Sequence, residues 1–564
     1  MKNHAMKKSP ILYTVMLFVW TVLAVFLWRS FVKSLIDTPF NVPIESLNTA
    51  VVIFARIILL FNAVFISYFW LNGVKDFIYV IWYYCNKGVM IKRYEEIINT
   101  DVSDANDRIL LIYCTCNDFD AYSLEKSIQQ RYHNFKTVIL DDSTCDEYKT
   151  KIDSFARKHG IEVVRRENRI GFKAGNINNY LLSEGVKGSY DYAVILDSDE
   201  ILPQNFITEC LKYFYCHHNI GIVQANHIST RNRNFFMKLF HVGVNSHWPT
   251  YQTMKHFYGF STMLGHGAMI KRSCYESVGG FPHLVAEDLC LSIELREKGY
   301  FVAFAPNIIC EEEYPIDYVA FKKRHSKWTQ GNLEFIKKYT GKISKSKMRW
   351  YEKMDIVLFT YNLPLTAVFA FFIFTNLIIA PLLHIDLGSV YAMWMLIPTV
   401  IFFFSPMLND FIIWSFKLNP FRNLLYFFNV IILYGSMLTT SLVSALLGMM
   451  GKKAKFIVTP KTSKKTGILF AIRFQIKEFI FSSVLIACAL VFSNSVFPVV
   501  LIVVTGYLSI LLLFFSNKKY SNKEVIEIDR KTSEISLKIN KEFQYSKNLD
   551  NITAYTDCVL EKTK

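Results

Sequence analysis

The apolar residues of this chain are gathered at its two ends, and that distribution limits the fold more than any motif does. A membrane-crossing helix takes about 20 mostly apolar residues. Runs of that kind occur before residue 85 and after residue 354, with a polar, mixed stretch of chain between them. The expected architecture is a membrane protein with one large inserted water-facing domain. Residues 11–28 and 50–71 are the first two expected spans. Residues 356–383 and 391–408 form a second pair, and 479–493 and 496–515 a third.

Charge orients this arrangement. The chain has 63 Lys and Arg against 47 Asp and Glu, a net +16. Much of the excess flanks the apolar runs, at Lys7, Lys8, Lys92, Arg93, Lys322 to Lys327, Lys452 to Lys465, Lys518 and Lys519. Basic flanks stay on the cytoplasmic side, so the inserted domain is expected in the cytosol and nucleic acid is not an expected partner. The first apolar run reads as a retained anchor rather than a cleaved signal. Residues 423–450 are apolar enough to cross as well. A fifth crossing there would put the basic 451–465 stretch outside, so they are expected to lie at the interface or re-enter against protein. The eleven cysteines show no paired or zinc spacing and are expected as reduced thiols.

Between residues 105 and 310 short β-rich runs (RILLIYCT, KTVILDD, IEVVRREN, YAVILDSDE, IGIVQAN) alternate with helix-like stretches. That pattern predicts a mostly parallel sheet with crossover helices, whose strand C-termini bind ligand. Carboxylates stand at two such ends. Asp197 and Asp199 in VILDSDE suit a hard divalent cation, Mg2+ or Mn2+, although Asp and Ser also simply form turns. Asp141 and Asp142 in VILDD suit hydrogen bonds to a base or ribose, or an Asx turn. In GFKAGN, Lys173 suits a diphosphate, Gly175 allows close backbone approach, and Asn176 suits a helix cap. Asp288, at the start of a predicted helix, suits a general base, or an acid placed by the helix dipole.

In order, DD, K-A-G-N, D-S-D, E-D and a basic R-x-x-K-W resemble the membrane-embedded processive glycosyltransferases of family 2: the cellulose, hyaluronan and chitin synthases and their bacterial relatives. The resemblance covers about residues 105 to 515. It implies a glycosyltransferase-A type α/β cytosolic domain within an α-helical transmembrane domain of about six spans plus interfacial helices. It implies a nucleotide-sugar site at Asn117, Asp141, Asp142, Lys173, Asp197, Asp199, Arg324 and Lys327, with the cation on Asp197 and Asp199. It implies catalysis by Asp288 with Glu287 before it, and an acceptor site at Gly265, His266, Trp328 and Gln330. FIVTPK resembles the gating loop of cellulose synthases, at Phe456, Val458, Thr459 and Lys461. The family's Q-x-x-R-W is altered here to Arg324, Lys327 and Trp328. With Gln330, Gly331 and Asn332 it is similar to the R-x-x-R-W-x-Q-G-N of periplasmic glucan synthases.

The expected division is 1–84 N-terminal transmembrane helices, 85–320 glycosyltransferase domain, 321–353 interfacial helices, 354–422 a transmembrane pair, 423–475 interfacial helix and gating loop, 476–516 a transmembrane pair and 517–564 cytosolic tail. The expected activity is processive, inverting transfer from UDP-glucose to a β-linked polysaccharide exported for capsule or exopolysaccharide, the alternative being one sugar moved to a lipid acceptor. Expected partners are the UDP-sugar, the growing polysaccharide, membrane lipid, and a second copy or export proteins. The expected location is the bacterial plasma membrane.

Overall fold

A computed structural model describes residues 4–415, 419–451, 464–493 and 495–540. At its centre is a seven-stranded sheet of β1 (Ile109–Thr115), β2 (Phe135–Asp141), β3 (Glu162–Val164), β4 (Tyr192–Leu196), β5 (Ile220–Thr230), β6 (Ala268–Lys271) and β7 (Phe301–Glu313), in the order β3-β2-β1-β4-β6-β5-β7. The five strands expected from the sequence are all present. β1 is buried at every position, as are β4 and β5, so their continuous apolar runs are those of strands covered on both faces.

Strands β1 to β4 are mutually parallel, and β6 runs antiparallel between β4 and β5. Register aligns Thr115 with Asp141 and Tyr113 with Leu196. The loops after β1, β2 and β4 therefore leave the sheet at one edge. The chain reverses its direction of winding at β1, which opens a crevice between β1 and β4 at that edge.

Among the described residues, seven helical segments are long and apolar enough to cross a membrane. The bounds of several differ from the expected spans. The second helix runs from Thr49 to Ile98, 50 residues, far beyond residue 71. At 1.5 Å per residue it is about 75 Å long, more than twice a hydrocarbon core. Its second half packs on the sheet, where the Tyr94 hydroxyl donates to the Phe304 carbonyl at 3.1 Å. The third apolar run starts late, because Trp350–Thr360 forms a separate helix. Its Asp355 is fully buried in an ion pair with Lys255 at 3.0 Å, so this turn belongs to the water-facing side and the apolar segment begins at Asn362. The Pro420–Met449 segment breaks at Ser436 into two helices, and 56% of its most apolar window is buried inside the protein, against 22% to 39% in the other six.

One apolar cluster continues from Leu12, Leu59 and Trp70 in the N-terminal helices to Leu111, Val194 and Ala303 in the sheet. The tail continues as a helix, Asn522–Asn540, against the domain.

Candidate active site

The crevice is built first by the loops after β1 and β2. Asn117 sits at φ 59°, a left-handed conformation that Asn tolerates better than most residues. Its side chain accepts from the Thr144 and Cys145 amides, both at 2.9 Å, and donates to the Thr144 hydroxyl. Asn117 thus ties the two loops together instead of presenting its amide to the crevice. Asp118 accepts from the Cys116 amide at 2.7 Å and from the Ser198 hydroxyl at 2.7 Å, joining this loop to the turn after β4.

The two aspartates after β2 separate in role. Asp141 has no exposed side-chain surface; one oxygen accepts from the Ser143 amide and the other from Arg165 Nε at 2.6 Å. Both oxygens are engaged in this way, and the carboxylate braces the loop. Asp142 is held by a two-pronged pair with Arg166 at 2.9 and 2.7 Å, and Arg166 also donates to the Ile170 and Phe172 carbonyls. This fork shapes the turn into the Phe172–Leu181 helix. Asn176 is in the middle of that helix and buried, and Gly171 takes the cap position. Lys173, not the loop residue expected, is in its first turn.

From there Lys173 reaches the end of β4. Its ammonium donates to the Asp197 carboxylate and, at 2.8 Å, to the Gly265 carbonyl. Burial opposes its charge, but Asp197 raises its pKa above the ordinary lysine value. Asp197 keeps 39% of its side chain exposed. Asp197 and Asp199 offer hard oxygen donors, and Asp197 already holds a cation in the form of Lys173, so the donor set fits Mg2+ or Mn2+. The Asp199 carbonyl accepts from the Arg231 guanidinium.

Behind this turn Glu200 is fully buried and accepts from the Gly267 amide at 2.9 Å. His227 Nε2 lies 3.2 Å and His266 Nδ1 3.3 Å from its Oε1, and His266 Nε2 lies 3.5 Å from Glu312. Burial alone would raise the Glu200 pKa, but His266 and then His227 bring it down to about 2. Burial alone would lower that of His266, but Glu200, then Asp197, hold it at about 10. The His266 ring thus stands between the Glu200 and Glu312 carboxylates and braces the turn. Two sets among the described residues, Glu200 with His227 and Cys310, and His227 with His266 and Glu312, bring ligand-type atoms within 4.8 Å of one another.

Glu287 and Asp288 open the Glu287–Glu297 helix. A Cβ at Gly265, whose φ is +91°, would stand 3.5 Å from Asp288 Oδ2. Gly265 is thus suited to its positive φ, lies beside the acid and receives Lys173 at its carbonyl. Burial, then mutual repulsion, raises the Glu287 pKa; burial also raises that of Asp288, against the Leu289 amide and the Lys173 and Lys327 charges.

The 28-residue helix Tyr318–Lys345 supplies the last wall. Asp317 caps it by accepting from the Ala320 amide at 2.7 Å. Arg324, Lys327, Trp328 and Gly331 share one face by helical spacing. A Cβ at Gly331 would meet Val285 Cγ1 at 3.2 Å, so glycine lets this face close on the chain just before Glu287. Burial lowers the Lys327 pKa, while Glu287, Asp197 and Asp288 favour its charge. Arg324 lies over the Trp328 ring at 4.7 Å and near Tyr314 and Phe321; aromatic rings, rather than the carboxylates, receive it. Trp328 is 48% exposed, and Gln330 Nε2 donates to Ser326 at 3.4 Å. The opposite face joins the membrane helices: His325 to Ser441 at 2.7 Å, Ser326 to Ser444 at 2.8 Å and Lys322 to Glu478 at 2.5 Å.

The structure thus brings together Lys173, Asp197, Gly265, Glu287, Asp288 and Lys327. Phe456, Val458, Thr459 and Lys461 lie outside the described residues. Arg166, Arg231 and Glu200 were not singled out from the sequence. The paired arginines just after β3 and the glutamate directly following D-S-D were visible there, but their partners were not.

Residues 192–406 match the family described as Glycosyl transferase family group 2. The glucomannan 4-beta-mannosyltransferase 2 of Arabidopsis thaliana is 23% identical over 235 residues, 39% of this chain and 42% of that protein. The "Probable glucomannan 4-beta-mannosyltransferase 9" of Oryza sativa subsp. japonica is 24% identical over 240 residues, 40% and 44%. The match spans about half the length of these curated relatives. Among solved structures, the mannosyltransferase PcManGT from Pyrobaculum calidifontis, in complex with GDP-Man and Mn2+, aligns with TM-score 0.39 and 16% identity over 68% of this chain and 100% of that one. The sheet is the mixed α/β sheet of a glycosyltransferase-A-like domain, joined to long apolar helices, and over residues 192–406 the chain is similar to glycosyl transferase family group 2, as it is in part to the glucomannan mannosyltransferases.

Proposed function

We propose that the protein is a membrane-embedded, processive, inverting glycosyltransferase that uses a nucleotide sugar to extend a β-linked polysaccharide. One observation carries this reading. The acid pair Glu287–Asp288 lies between the Lys173–Asp197 end of the crevice and Lys327, on a helix whose other face is bonded to the membrane segments. A transferase working far from the bilayer has no need of that connection.

In this reading the nucleotide lies along the loops after β1 and β2, beside Asp142. Asp197 and Asp199 would hold Mg2+ or Mn2+, which neutralises diphosphate charge when bound. Lys173 and Lys327 add fixed positive charge beside the same leaving group. Asp288 takes the proton of the acceptor hydroxyl. Its oxygen forms the new bond to the anomeric carbon as the bond from that carbon to the diphosphate oxygen breaks, so configuration inverts and the nucleoside diphosphate departs. The exposed Trp328 ring offers a flat face to the terminal sugar. Six spans then flank the export path, with Pro420–Met449 re-entrant, the basic flanks and the catalytic domain in the cytosol, and the protein in a plasma membrane.

UDP-glucose is the donor suggested by the helix motif, and the relatives' names add a mannosyl donor. Purified protein given labelled UDP-glucose, UDP-N-acetylglucosamine and GDP-mannose in turn, with Mg2+ or Mn2+, is expected to make polymer from one of them. Chelation with EDTA should abolish the product and added cation restore it. A single sugar on lipid would replace processive synthesis with the lipid-acceptor alternative, and no transfer from any donor would overturn the reading.

A further inference from the structure

The tail helix reaches the donor site through one residue. After the last apolar helix the chain pairs with the segment following β5: Lys519 bridges Asn234, the Phe235 amide donates to the Lys518 carbonyl at 3.0 Å and the Tyr520 amide to the Arg233 carbonyl at 3.0 Å. Phe235 also packs on Phe515, ring centroids 5.1 Å apart, and Lys238 lies over the Tyr520 ring. The Asn522–Asn540 helix then turns Asp529 into this segment. One Asp529 oxygen accepts from the Arg231 amide at 2.7 Å; the other accepts from the Asn232 amide at 3.2 Å and the Asn232 side chain at 3.0 Å.

Arg231 has φ 58°, a conformation that a residue with a Cβ keeps only where its surroundings hold it. Two successive amides facing one carboxylate form an anion-binding concavity, and Asp529 fills it. The backbone so fixed directs the Arg231 side chain into the turn after β4. Its guanidinium donates to the Asp199 carbonyl, to Asp120 at 2.7 Å and to Ser123 at 2.9 Å, and lies 3.2 Å from Glu313. Asp120 caps the Ala121–Ser127 helix behind the β1 loop, so one cation joins the Asp197–Asp199 turn to that loop.

We propose that Asp529 is a positioning residue for the donor site: the tail helix fixes Arg231, and Arg231 fixes the turn that is to hold the divalent cation and diphosphate. This rests on the reading of Asp197 and Asp199 given above. It also gives the tail a means of control, since displacing the helix would loosen the site without touching it.

The test uses the full-length protein in detergent, with Asp529→Ala, Asp529→Asn, Arg231→Ala and, as a control on the same helix, Glu527→Ala, whose partner Lys531 is an exposed ion pair. Hydrogen exchange without ligand is the first measurement. Asp529→Ala should speed exchange both at 231–233 and at 198–200, Asp529→Asn should do so less, and Glu527→Ala should do neither. UDP and GDP binding in Mn2+ is the second. Asp529→Ala should raise the dissociation constant about fivefold and add little in an Arg231→Ala background. Faster exchange confined to 231–233, or unchanged affinity in Asp529→Ala, overturns the clamp. A wild-type protein that binds neither nucleotide overturns instead the donor-site reading on which the clamp rests. If Asp529→Ala fails to fold, the comparison of Asp529→Asn with Glu527→Ala decides: equal exchange at 198–200 and equal affinity overturn the proposal.

Discussion

At Asp288, the base of the proposed transfer, two requirements meet. A base must be ionised to accept a proton, yet burial raises its pKa and Glu287 beside it competes for ionisation. Lys327 and Lys173 act in the other direction. Because the pKa of the pair is raised, the active, deprotonated form grows as pH rises, giving an acidic limb in kcat/KM. Removing a positive charge raises the pKa further, so Lys327→Met should move that limb to higher pH, measured in a pH–rate profile of the purified protein. Asp288→Asn should reduce transfer by about 100-fold or more while UDP binding persists; equal loss of both would make Asp288 a binding group. The carboxylates at strand ends were legible because a strand ending in Asp leaves a short local signature. Their partners were not. Arg165 and Arg166 meet Asp141 and Asp142 from across β3, 24 residues away, and Asp529 meets Arg231 from 298 away. Residue type alone also left open which arginine each of the adjacent aspartates Asp141 and Asp142 would meet.

The Tyr318–Lys345 helix concentrates chemistry on one face and attachment on the other, and Gly331 sets how near that face comes to Glu287. Gly331→Leu should force the helix away from Val285. Overpacking of this kind costs about 1–3 kcal/mol, to be seen as a lower thermal midpoint, with activity falling further than stability because Lys327 and Trp328 move with the helix. The motif R-x-x-K-W was readable at its spacing; that Arg324 would settle on rings rather than among carboxylates was not, since Tyr314 and Phe321 are ordinary apolar positions in the sequence. Element lengths were misread where apolar and charged residues mix. The Thr49–Ile98 helix continues past Leu71 through Lys75, Asp76 and Lys87 because no proline interrupts it and its far half is covered by the sheet. Residues 350–360 are apolar on average, yet Glu352 and Asp355 place them with the domain: both are fully buried, paired with Arg296 and Lys255.

Across the whole molecule, the Lys255–Asp355 pair joins two helices of the water-facing domain, and the Tyr79 hydroxyl of the long Thr49–Ile98 helix donates to the same Asp355. Breaking a buried pair by removing one partner costs about 3–5 kcal/mol. Lys255→Met should therefore lower folded yield sharply, and Lys255→Met with Asp355→Leu should recover part of it, as judged by gel filtration in detergent. The apolar cluster shared by Trp70 and Val194 has a consequence for how the protein comes apart. Separate domains with separate cores melt in separate steps; here one shared cluster crosses from the membrane helices into the sheet. Calorimetry should show a single endotherm, and a detergent that loosens the N-terminal helices should lower its temperature. The bilayer is, in that sense, part of the heat stability of the catalytic domain.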